Sequence, residues 1–406
     1  MSSHISSRAL DDEVSYVVPL SNYGTDGLCR DYTLRRSKWE AEANAGSHEA
    51  RMDWMKYIGP IEEFGGCNPI NGNFSAVALP LTRPDRLRLV AYLLEYIFMY
   101  DNMVEVANAD GSDTNNQHDQ RPQEWRYTDP ALGKTEMQAK MMEQLTSMDP
   151  SCTGRVKRTW KETISIVSPN KGTLFGSLEE YLDFRVVDAG TSLVEALLLF
   201  GMGVTLTEEE DAILDPIRKP CFAALSLGND YLSFDREYLE FLESEDEKTL
   251  KNAVWLHMQW DSVGVDAAKK TVLEATRKYE AQFLEDCAQF QRGSKGFSEK
   301  LKRHLDALAY QVSGNVVWSL NCPRYCPDHR YDSNAGIEDQ LTAKAMPEFL
   351  GIEYKVRIAQ RAKEAPGQLA VMNSGLENGR SRNSSSETSL TASDDTGSTP
   401  ERSVSP

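Results

Sequence analysis

Three oxygen-bearing side chains recur at intervals of four residues in the segment 228–237. Asn229, Ser233 and Glu237 would lie along one face of an α-helix, because positions i, i+4 and i+8 share a face. An amide oxygen, a hydroxyl and a carboxylate are hard ligands of the kind that suits Mg²⁺. The spacing therefore predicts a metal site. The alternative is an ordinary amphipathic helix, in which polar residues four apart are common.

A second pair of carboxylates, Asp101 and Glu105, has the same spacing upstream. Two helices that present oxygen ligands to one cavity would hold a cluster of Mg²⁺ ions, and such a cluster binds diphosphate. Apolar side chains one and two turns before Asp101, among them Phe98, would line that cavity below the metal ions. The alternative is a helix end whose charges are solvated.

The overall charge is strongly acidic. The chain has 406 residues, with 62 acidic and 44 basic side chains and a formal net charge of −18. A nucleic-acid partner is not expected, because phosphate binding needs clustered Lys and Arg. An anionic substrate would instead need metal ions that invert the local charge.

The cysteines and the N-terminal residues indicate the cellular compartment of the protein. Seven widely spaced cysteines without a CxxC pair favour free thiols in a reducing environment. The first residues lack the apolar core of a signal peptide, and no apolar stretch approaches the ~20 residues of a membrane span. The sequence therefore predicts a cytoplasmic protein without membrane insertion.

Helical periodicity of apolar residues extends over most of the chain from about residue 38. Helices are expected over about 86–108, 123–147, 152–168, 176–201, 207–215, 218–239, 246–260, 263–292 and 296–320. The fold class is therefore all-α, a helical bundle with its active site in the bundle core. We expect an irregular segment over 1–35, one helical domain over 36–365, and a Ser/Thr-rich disordered tail or linker over 366–406.

Three motifs together resemble those of class I terpene cyclases. Asn229-Asp-x-x-Ser233-x-x-x-Glu237 is similar to the second metal motif of that family, and Asp101-x-x-x-Glu105 to a variant of its aspartate-rich motif. The segment 314–325 resembles the C-terminal Arg-Tyr segment of microbial members. The likeness extends from about residue 15 to about residue 345. It is strongest for the cyclase half of fungal bifunctional synthases of the fusicoccadiene and ophiobolin type.

The resemblance implies the isoprenoid synthase fold and a Mg²⁺-dependent cyclisation. Three Mg²⁺ ions would be held by the five candidate ligands Asp101, Glu105, Asn229, Ser233 and Glu237. The substrate would be a linear isoprenoid diphosphate, with geranylgeranyl diphosphate (C20) favoured and geranylfarnesyl diphosphate (C25) the alternative. Asn102 stands where the family usually has an aspartate, and Glu105 would be either a ligand or a residue behind the ligands.

The resemblance also implies which residues meet the diphosphate. Arg185, Asp188 and Ala189 match the family's diphosphate sensor, linker and effector, with a helix break at Ala189–Gly190. The alternative for the first two is a buried ion pair at i, i+3.

Two further cations and a phenol complete the expected set. Arg236, Arg324 and Tyr325 would contact the diphosphate, although Arg236 could be a surface cation and Arg324 a helix-capping cation. Phe98 and Trp318 are candidate cavity aromatics whose ring faces would stabilise carbocations, or else plain core residues.

Two other functions are compatible with this fold. A chain-elongating prenyltransferase would need two aspartate-rich motifs, and the Asn-Ser-Glu motif replaces the second. A non-catalytic helical scaffold would be expected to lack the metal ligands. In bifunctional relatives a polar segment such as 366–406 links the cyclase to a prenyltransferase. A prenyltransferase domain or enzyme that supplies the substrate is therefore an expected partner.

Overall fold

The expected all-α class is confirmed. A computed structural model of the protein describes residues 7–59, 72–110, 130–166, 174–243, 250–293, 297–322 and 324–325. The helices are α1 (Ser7–Val14), α2 (Glu40–Tyr57), α3 (Phe74–Ala78), α4 (Pro84–Asp110), α5 (Pro130–Met148), α6 (Pro150–Ile166), α7 (Leu178–Asp188), α8 (Thr191–Met202), α9 (Glu208–Glu243), α10 (Ala253–Trp260), α11 (Val265–Gly293) and α12 (Glu299–Asn321). Two strands, β1 (Ser15–Val18) and β2 (Leu34–Ser37), accompany them. The expected tail, 366–406, lies outside the described residues.

The sequence predicts an irregular segment over 1–35, and this prediction is wrong for the described part of it. The segment holds α1 and a two-stranded antiparallel sheet in which Ser15 lies opposite Ser37. Strands of four residues are too short for their alternation to be read from sequence. A buried cation fixes the pairing, because Arg35 Nε donates to Ser15 Oγ at 2.8 Å and Nη2 to Asp12 Oδ1 at 2.5 Å.

The helices pack around one apolar core. Helix α4 packs along α2, α9 packs against α11 and α12, and α12 also packs on α3. Helix α12 meets α3 at Gly314, where an added Cβ would lie 2.0 Å from the carbonyl oxygen of Val77. This close approach sets the C-terminal half of α12 against the end of α3. Among the described residues, no helix is both long and apolar enough to cross a membrane.

Helix α9 is longer than the sequence predicts. Two helices are expected, over 207–215 and 218–239, because Pro216 and Pro220 each remove a backbone donor. The structure instead has one helix of 36 residues that contains both prolines. Arg218 spans the first proline, since its Nη1 donates to Asp211 Oδ1 at 2.7 Å and its Nη2 to the Asp211 carbonyl at 3.2 Å. These contacts join the turns on either side of Pro216.

The single helix expected over 176–201 is in fact two, joined where the break was expected. Helix α7 ends at Asp188, and Gly190 takes the left-handed conformation with φ 65° and ψ 22° before α8 begins. Glycine adopts this conformation without the steric cost that a Cβ would add. The break therefore lies between the end of α7, which carries Arg185 and Asp188, and the buried helix α8.

Candidate active site

Helix α9 carries the three predicted metal ligands on one face. Ser233 is fully buried, and its hydroxyl lies near the Glu237 carboxyl but makes no hydrogen bond of good geometry within the described residues. Asn229 and Glu237, one turn to either side of it, are partly buried. Burial raises the pKa of the Glu237 carboxyl, and the charge of Arg185 opposes the rise. The face therefore offers an amide, a hydroxyl and a carboxylate along two turns.

Arg185 of α7 lies beside this face and binds three acceptors. Its Nη1 donates to Asp188 Oδ2 at 2.6 Å, its Nε to Asp230 Oδ1 at 2.8 Å, and its Nη2 to Asn229 Oδ1 at 2.8 Å. The side chain is 11% exposed. The expected ion pair with Asp188 is thus present, but it is one part of a larger network that includes the α9 face.

Asp230 anchors the network from behind. It is fully buried, accepts from the Tyr181 hydroxyl at 2.7 Å and from the Ala253 backbone N–H at 2.9 Å, and is bound by Arg185. Burial raises the pKa of Asp230, although Arg185 and Tyr181 oppose the rise. Asp230 therefore positions Arg185 and does not face the metal ligands.

Asn252 was not predicted as a site residue. It caps α10 through Val254 N, and its Nδ2 donates to Glu237 Oε2 at 3.0 Å and to the Asp230 carbonyl at 2.9 Å. The sequence predicts a helix over 246–260, whereas α10 begins only at residue 253. An Asn before an apolar run is a known N-cap signal, so the capping role was detectable. Its hydrogen bond to Glu237 joins segments that are not adjacent in the sequence, so this bond could not be predicted from the sequence.

The C-terminal pair Arg324–Tyr325 closes over the same face. The Asn229 Nδ2 donates to the Tyr325 hydroxyl at 3.4 Å. Arg324 is 1% exposed and its Nη2 donates to Asp101 Oδ2 of α4 at 3.2 Å. Its guanidinium lies 5.6 Å from the ring centre of Tyr325. A helix-capping role for Arg324 does not describe these contacts, which instead connect α4 with α9.

Arg236 also points to this end of the bundle. It is 7% exposed, so it is not a surface cation. Its guanidinium lies 5.8 Å from the ring centre of Tyr325, and its Nε is 3.4 Å from Glu240 Oε1. Burial raises the pKa of the Tyr325 hydroxyl, and the charges of Arg324 and Arg236 oppose the rise. The phenol is therefore a neutral hydrogen-bonding group between two cations.

An aromatic layer lies next to these polar groups. The ring of Trp318 is 5.2 Å from that of Phe98, 5.7 Å from that of Tyr325 and 4.9 Å from that of Phe74. Arg324 lies 5.6 Å from the centre of the Phe98 ring. Phe74 was not predicted, since nothing in its local sequence sets it apart from core. Trp318 is 1% exposed and Phe98 is partly buried, so Phe98 has the larger accessible surface.

Most predicted residues are thus connected by direct contacts. A path leads from Asp188 through Arg185 and Asn229 to Tyr325, and from Tyr325 through Arg324 to Asp101, with Arg236 over the Tyr325 ring. Ala189 lies at the C-terminal cap of α7, where its N–H donates to the Arg185 carbonyl at 2.7 Å. The backbone of Glu105 belongs to α4, but its side chain lies outside the described residues.

The residues present fit Mg²⁺. The fully buried Ser233 hydroxyl has no hydrogen bond of good geometry in the described part of the chain, although it lies close enough to the Glu237 carboxyl to lower the pKa of that group. A metal ion would satisfy it together with Asn229 and Glu237. The donors are all oxygens, with carboxylates from both α4 and α9, as Mg²⁺ prefers. Within the described ranges no group of three His, Cys, Asp or Glu side chains could hold a metal, so the amide and hydroxyl are needed.

Comparison with known proteins decides the family. The family model "Terpene synthase family 2, C-terminal metal binding" matches residues 92–282. Terpene cyclase ATR13 of Stachybotrys chlorohalonatus is 39% identical over 350 residues, which cover 82% of this chain and 91% of that protein. The chain belongs to the terpene cyclase family. The resemblance drawn from the three motifs is thereby confirmed.

Two longer relatives match a similar part of this cyclase. Variediene synthase of Emericella variicolor is 44% identical over 320 residues, 78% of this chain and 45% of that protein. Bifunctional sesterterpene synthase astC of Talaromyces wortmannii is 33% identical over 378 residues, 86% of this chain and 49% of that protein. The chain spans about half the length of these two relatives.

A solved structure supports the fold. Aristolochene synthase from Penicillium roqueforti superposes with a TM-score of 0.51 at 21% identity, covering 68% of this chain and 94% of that one. The similarity shows that the two proteins share the same helical fold.

Proposed function

We propose that this cyclase ionises a linear isoprenoid diphosphate in a Mg²⁺-dependent reaction, closes the resulting carbocation into rings and releases diphosphate. The observation that carries the proposal is the placement of the predicted residues. Three cations, Arg185, Arg236 and Arg324, meet around the Asn229–Tyr325 contact, beside the α9 oxygen ligands. A chain with net charge −18 needs such a local concentration of positive charge to hold a diphosphate.

Mg²⁺ would be held by Asp101, Asn229, Ser233 and Glu237, with Glu105 as a fifth candidate, and three ions are proposed. When bound, the ions would neutralise charge that develops on the leaving diphosphate.

The protein's own groups bind and orient the diphosphate. Arg185 has a planar guanidinium already fixed by Asp188 and Asp230, so little side-chain entropy is lost when it binds an oxyanion. Arg236, Arg324 and the neutral Tyr325 hydroxyl would donate further hydrogen bonds. The Ala189 carbonyl, at the break between α7 and α8, is the proposed effector. Together these groups would fix the diphosphate at one end of the cavity.

The aromatic layer would receive the isoprenoid chain. The faces of Phe98 and Trp318 carry negative charge density that attracts a cation. The buried walls exclude water and restrict the folded shapes of the chain. Geranylgeranyl diphosphate is the favoured substrate, from the likeness to fusicoccadiene-type enzymes. The name of the astC relative supports a C25 substrate as the alternative.

A prenyltransferase that supplies the substrate is the proposed partner. The support is that astC is named bifunctional and that this chain spans about half of it.

The test is incubation with C15, C20 and C25 diphosphates and Mg²⁺, with and without isopentenyl diphosphate. Cyclisation predicts diphosphate release and cyclic products from the C20 substrate alone, identified by mass spectrometry. Release that requires isopentenyl diphosphate would instead establish chain elongation. No release from any substrate would favour a non-catalytic scaffold.

A further inference from the structure

The buried amide of Asn252 makes more contacts than the capping of a helix requires. Asn252 is fully buried just before α10, and its Oδ1 accepts from Val254 N at 2.8 Å. Its Nδ2 donates to the backbone carbonyl of Asp230 at 2.9 Å and to Glu237 Oε2 at 3.0 Å. Capping needs only the first of these bonds, which a Ser, Thr or Asp would also supply. The two bonds made by Nδ2 require the N–H donors of an amide.

The partners of this amide fix the direction in which it points. The Val254 backbone N–H can only donate, and the Asp230 backbone carbonyl can only accept. Oδ1 therefore faces the start of α10, because the reverse orientation would place Oδ1 against the Asp230 carbonyl oxygen. The remaining N–H of Nδ2 points at Glu237, so Glu237 Oε2 is the acceptor of that bond. The amide thus presents a donor to a candidate metal ligand in one fixed orientation.

The segment that carries this amide is itself held in place. Ala253 N donates to Asp230 Oδ2 at 2.9 Å, and the Lys251 carbonyl accepts from the Tyr181 hydroxyl at 3.2 Å. These two contacts join the segment to α9 and to α7. Because its surroundings are fixed, the Asn252 amide can hold a neighbouring side chain in place.

The neighbour that this amide restrains is the Glu237 carboxylate. The bond from Asn252 engages Oε2 alone, so Oε1 remains to accept from another partner. A glutamate side chain has several rotatable bonds, and a hydrogen bond at its end removes much of that freedom. A ligand that is already oriented loses less entropy when it binds an ion.

Asn73 makes the same kinds of bond in another part of the fold. It is 1% exposed and caps α3, where its Oδ1 accepts from Ser75 N at 2.9 Å. Its Nδ2 donates to Asn44 Oδ1 at 3.2 Å and to Ser47 Oγ at 3.1 Å. Both asparagines therefore use a buried amide to cap a helix and to donate twice. They differ because one donor of Asn252 meets a carboxylate of the α9 face.

We propose that Asn252 is a positioning residue of the metal site, which sets the affinity of the α9 face for Mg²⁺ by holding the Glu237 carboxylate in one orientation. Asn252 acts through Glu237 and is not itself a ligand. Loss of a hydrogen-bonding partner behind a metal ligand typically lowers metal affinity by about 10- to 100-fold. The inference rests on the proposed function, because it takes Glu237 as a Mg²⁺ ligand, but the orientation of Glu237 can be tested separately.

The first experiment measures Mg²⁺ binding without turnover. Mg²⁺ is titrated calorimetrically into the protein in the presence of inorganic diphosphate, for the wild type, Asn252→Ser and the matched control Asn73→Ser. Serine keeps a capping oxygen at both positions and removes both N–H donors. We expect Asn252→Ser to bind Mg²⁺ about 10- to 100-fold more weakly, and Asn73→Ser to bind it as the wild type does. Both variants should have a lower thermal midpoint, so the Mg²⁺ affinity is the measurement that separates them.

Either of two results of this titration would overturn the proposal. A Mg²⁺ affinity of Asn252→Ser equal to that of the wild type would show that the hydrogen bond does not affect the metal site. An equal loss of affinity in Asn252→Ser and Asn73→Ser would assign the effect to lost stability and not to the orientation of Glu237.

The second experiment observes Glu237 directly and needs neither metal nor substrate. High-resolution crystal structures of the wild type and of Asn252→Ser are compared without Mg²⁺. We expect a single Glu237 conformer in the wild type, with Oε2 bound to Asn252 Nδ2, and a rotated or multiply occupied carboxylate in the variant. A Glu237 side chain with several conformers in the wild type, or an unchanged one in the variant, would overturn the proposal whether or not the protein is a cyclase.

Turnover separates this inference from the proposed function. Excess Mg²⁺ should restore most of the diphosphate release by Asn252→Ser from geranylgeranyl diphosphate, because the ligand Glu237 is still present. An active wild type whose Mg²⁺ dependence is unchanged in Asn252→Ser would overturn the positioning role and leave the cyclase proposal intact. Weaker Mg²⁺ binding by Asn252→Ser, in a protein that turns over no isoprenoid diphosphate, would support the positioning role while the cyclase proposal fails. A wild type that binds no Mg²⁺ with diphosphate would overturn both.

Discussion

Two buried clusters of charge lie toward opposite ends of α9, and they differ in what their oxygens contact. The lower cluster consists of Arg155, Glu195, Asp211, Arg218 and His304. Glu195 Oε1 accepts from Arg218 Nη1 at 3.0 Å and from His304 Nε2 at 2.9 Å, while Oε2 lies 3.8 Å from Arg155 Nη1. Its second carboxylate, Asp211, binds Arg155 and Arg218. Every carboxylate of this cluster already faces cations.

The upper cluster consists of Asp101, Arg185, Asn229, Ser233 and Arg324. Asn229 Oδ1 accepts from Arg185 and Asp101 Oδ2 accepts from Arg324. The Ser233 hydroxyl, however, is bound to no cation among the described residues, and the Asp101 side chain is 51% exposed. Both clusters bury cations at similar depth. The difference indicates that buried charge alone does not identify a binding site. On the basis of this difference we propose that the lower cluster stabilises the fold and that the upper one binds ligand.

The largest expected effect is on turnover in the upper cluster. Asp101→Ala or Asn229→Ala should lower kcat by at least about 100-fold, since each removes an oxygen ligand and the charge stabilisation that depends on it. Circular dichroism and the thermal midpoint should stay close to wild type. Wild-type turnover in either variant would show that the metal site has been misplaced.

Glu105→Ala separates the two roles left open for that residue. A loss of turnover equal to that of Asp101→Ala makes Glu105 a metal ligand, and a milder loss places it behind the ligands.

The next effect is on stability, and it should appear in the lower cluster. Glu195→Ala removes the acceptor of the fully buried His304 and one of the two buried carboxylates that bind Arg218, and it should cost about 3–5 kcal/mol in the free energy of unfolding. Asp101→Ala removes one half-exposed partner and should cost about 1 kcal/mol or less. Urea unfolding of both variants measures the difference. Equal costs would remove the distinction between a structural and a ligand-binding cluster.

The lower cluster also predicts a response to acid. Burial would raise the pKa of Glu195, but His304 and Arg218 outweigh it and lower the pKa to about 2. The folded pKa is depressed, so the stabilisation is complete above the ordinary glutamate pKa and is lost as pH falls from about 4.5 toward about 2. Glu195→Gln should therefore lose less stability than the wild type across this window. Parallel urea midpoints for the two proteins would contradict the assignment.

The last effect is on the product spectrum, and it is expected at the border of the upper cluster, where Phe98 is partly buried. Phe98→Ala should widen the cavity and remove a cation-facing ring, giving more acyclic or early-quenched products with metal binding preserved. Its stability cost should fall below the ~3–5 kcal/mol of a fully buried Phe. Phe200, which is fully buried against Arg86, is the matched control. Destabilisation of Phe98→Ala with an unchanged product spectrum would assign Phe98 to the core.

Local periodicity accounts for the parts that could be predicted from sequence. The α9 ligands are four residues apart, so one helix places them on one face whatever the rest of the fold does. The break at Ala189–Gly190 was implied by the resemblance to the family, and Gly190 weakens a helix at that point, whereas apolar periodicity alone predicted one helix over 176–201.

The parts of the fold and of the site that could not be predicted depend on contacts between distant segments. Asn252 reaches Glu237 and His304 reaches Glu195 only after the helices pack, and neither pair has a local pattern. Helix α9 continues through Pro216, where Arg218 binds Glu195 of α8 as well as Asp211 of its own helix.

The most direct test of the central claim is calorimetric titration of the protein with inorganic diphosphate, with and without excess Mg²⁺. If the upper cluster is the metal and diphosphate site, the wild type should bind diphosphate in a Mg²⁺-dependent manner. Asn229→Ala should lose most of that binding, and Glu195→Gln should bind as the wild type does. Binding that is equally tight without Mg²⁺, or unchanged in Asn229→Ala, would contradict the claim.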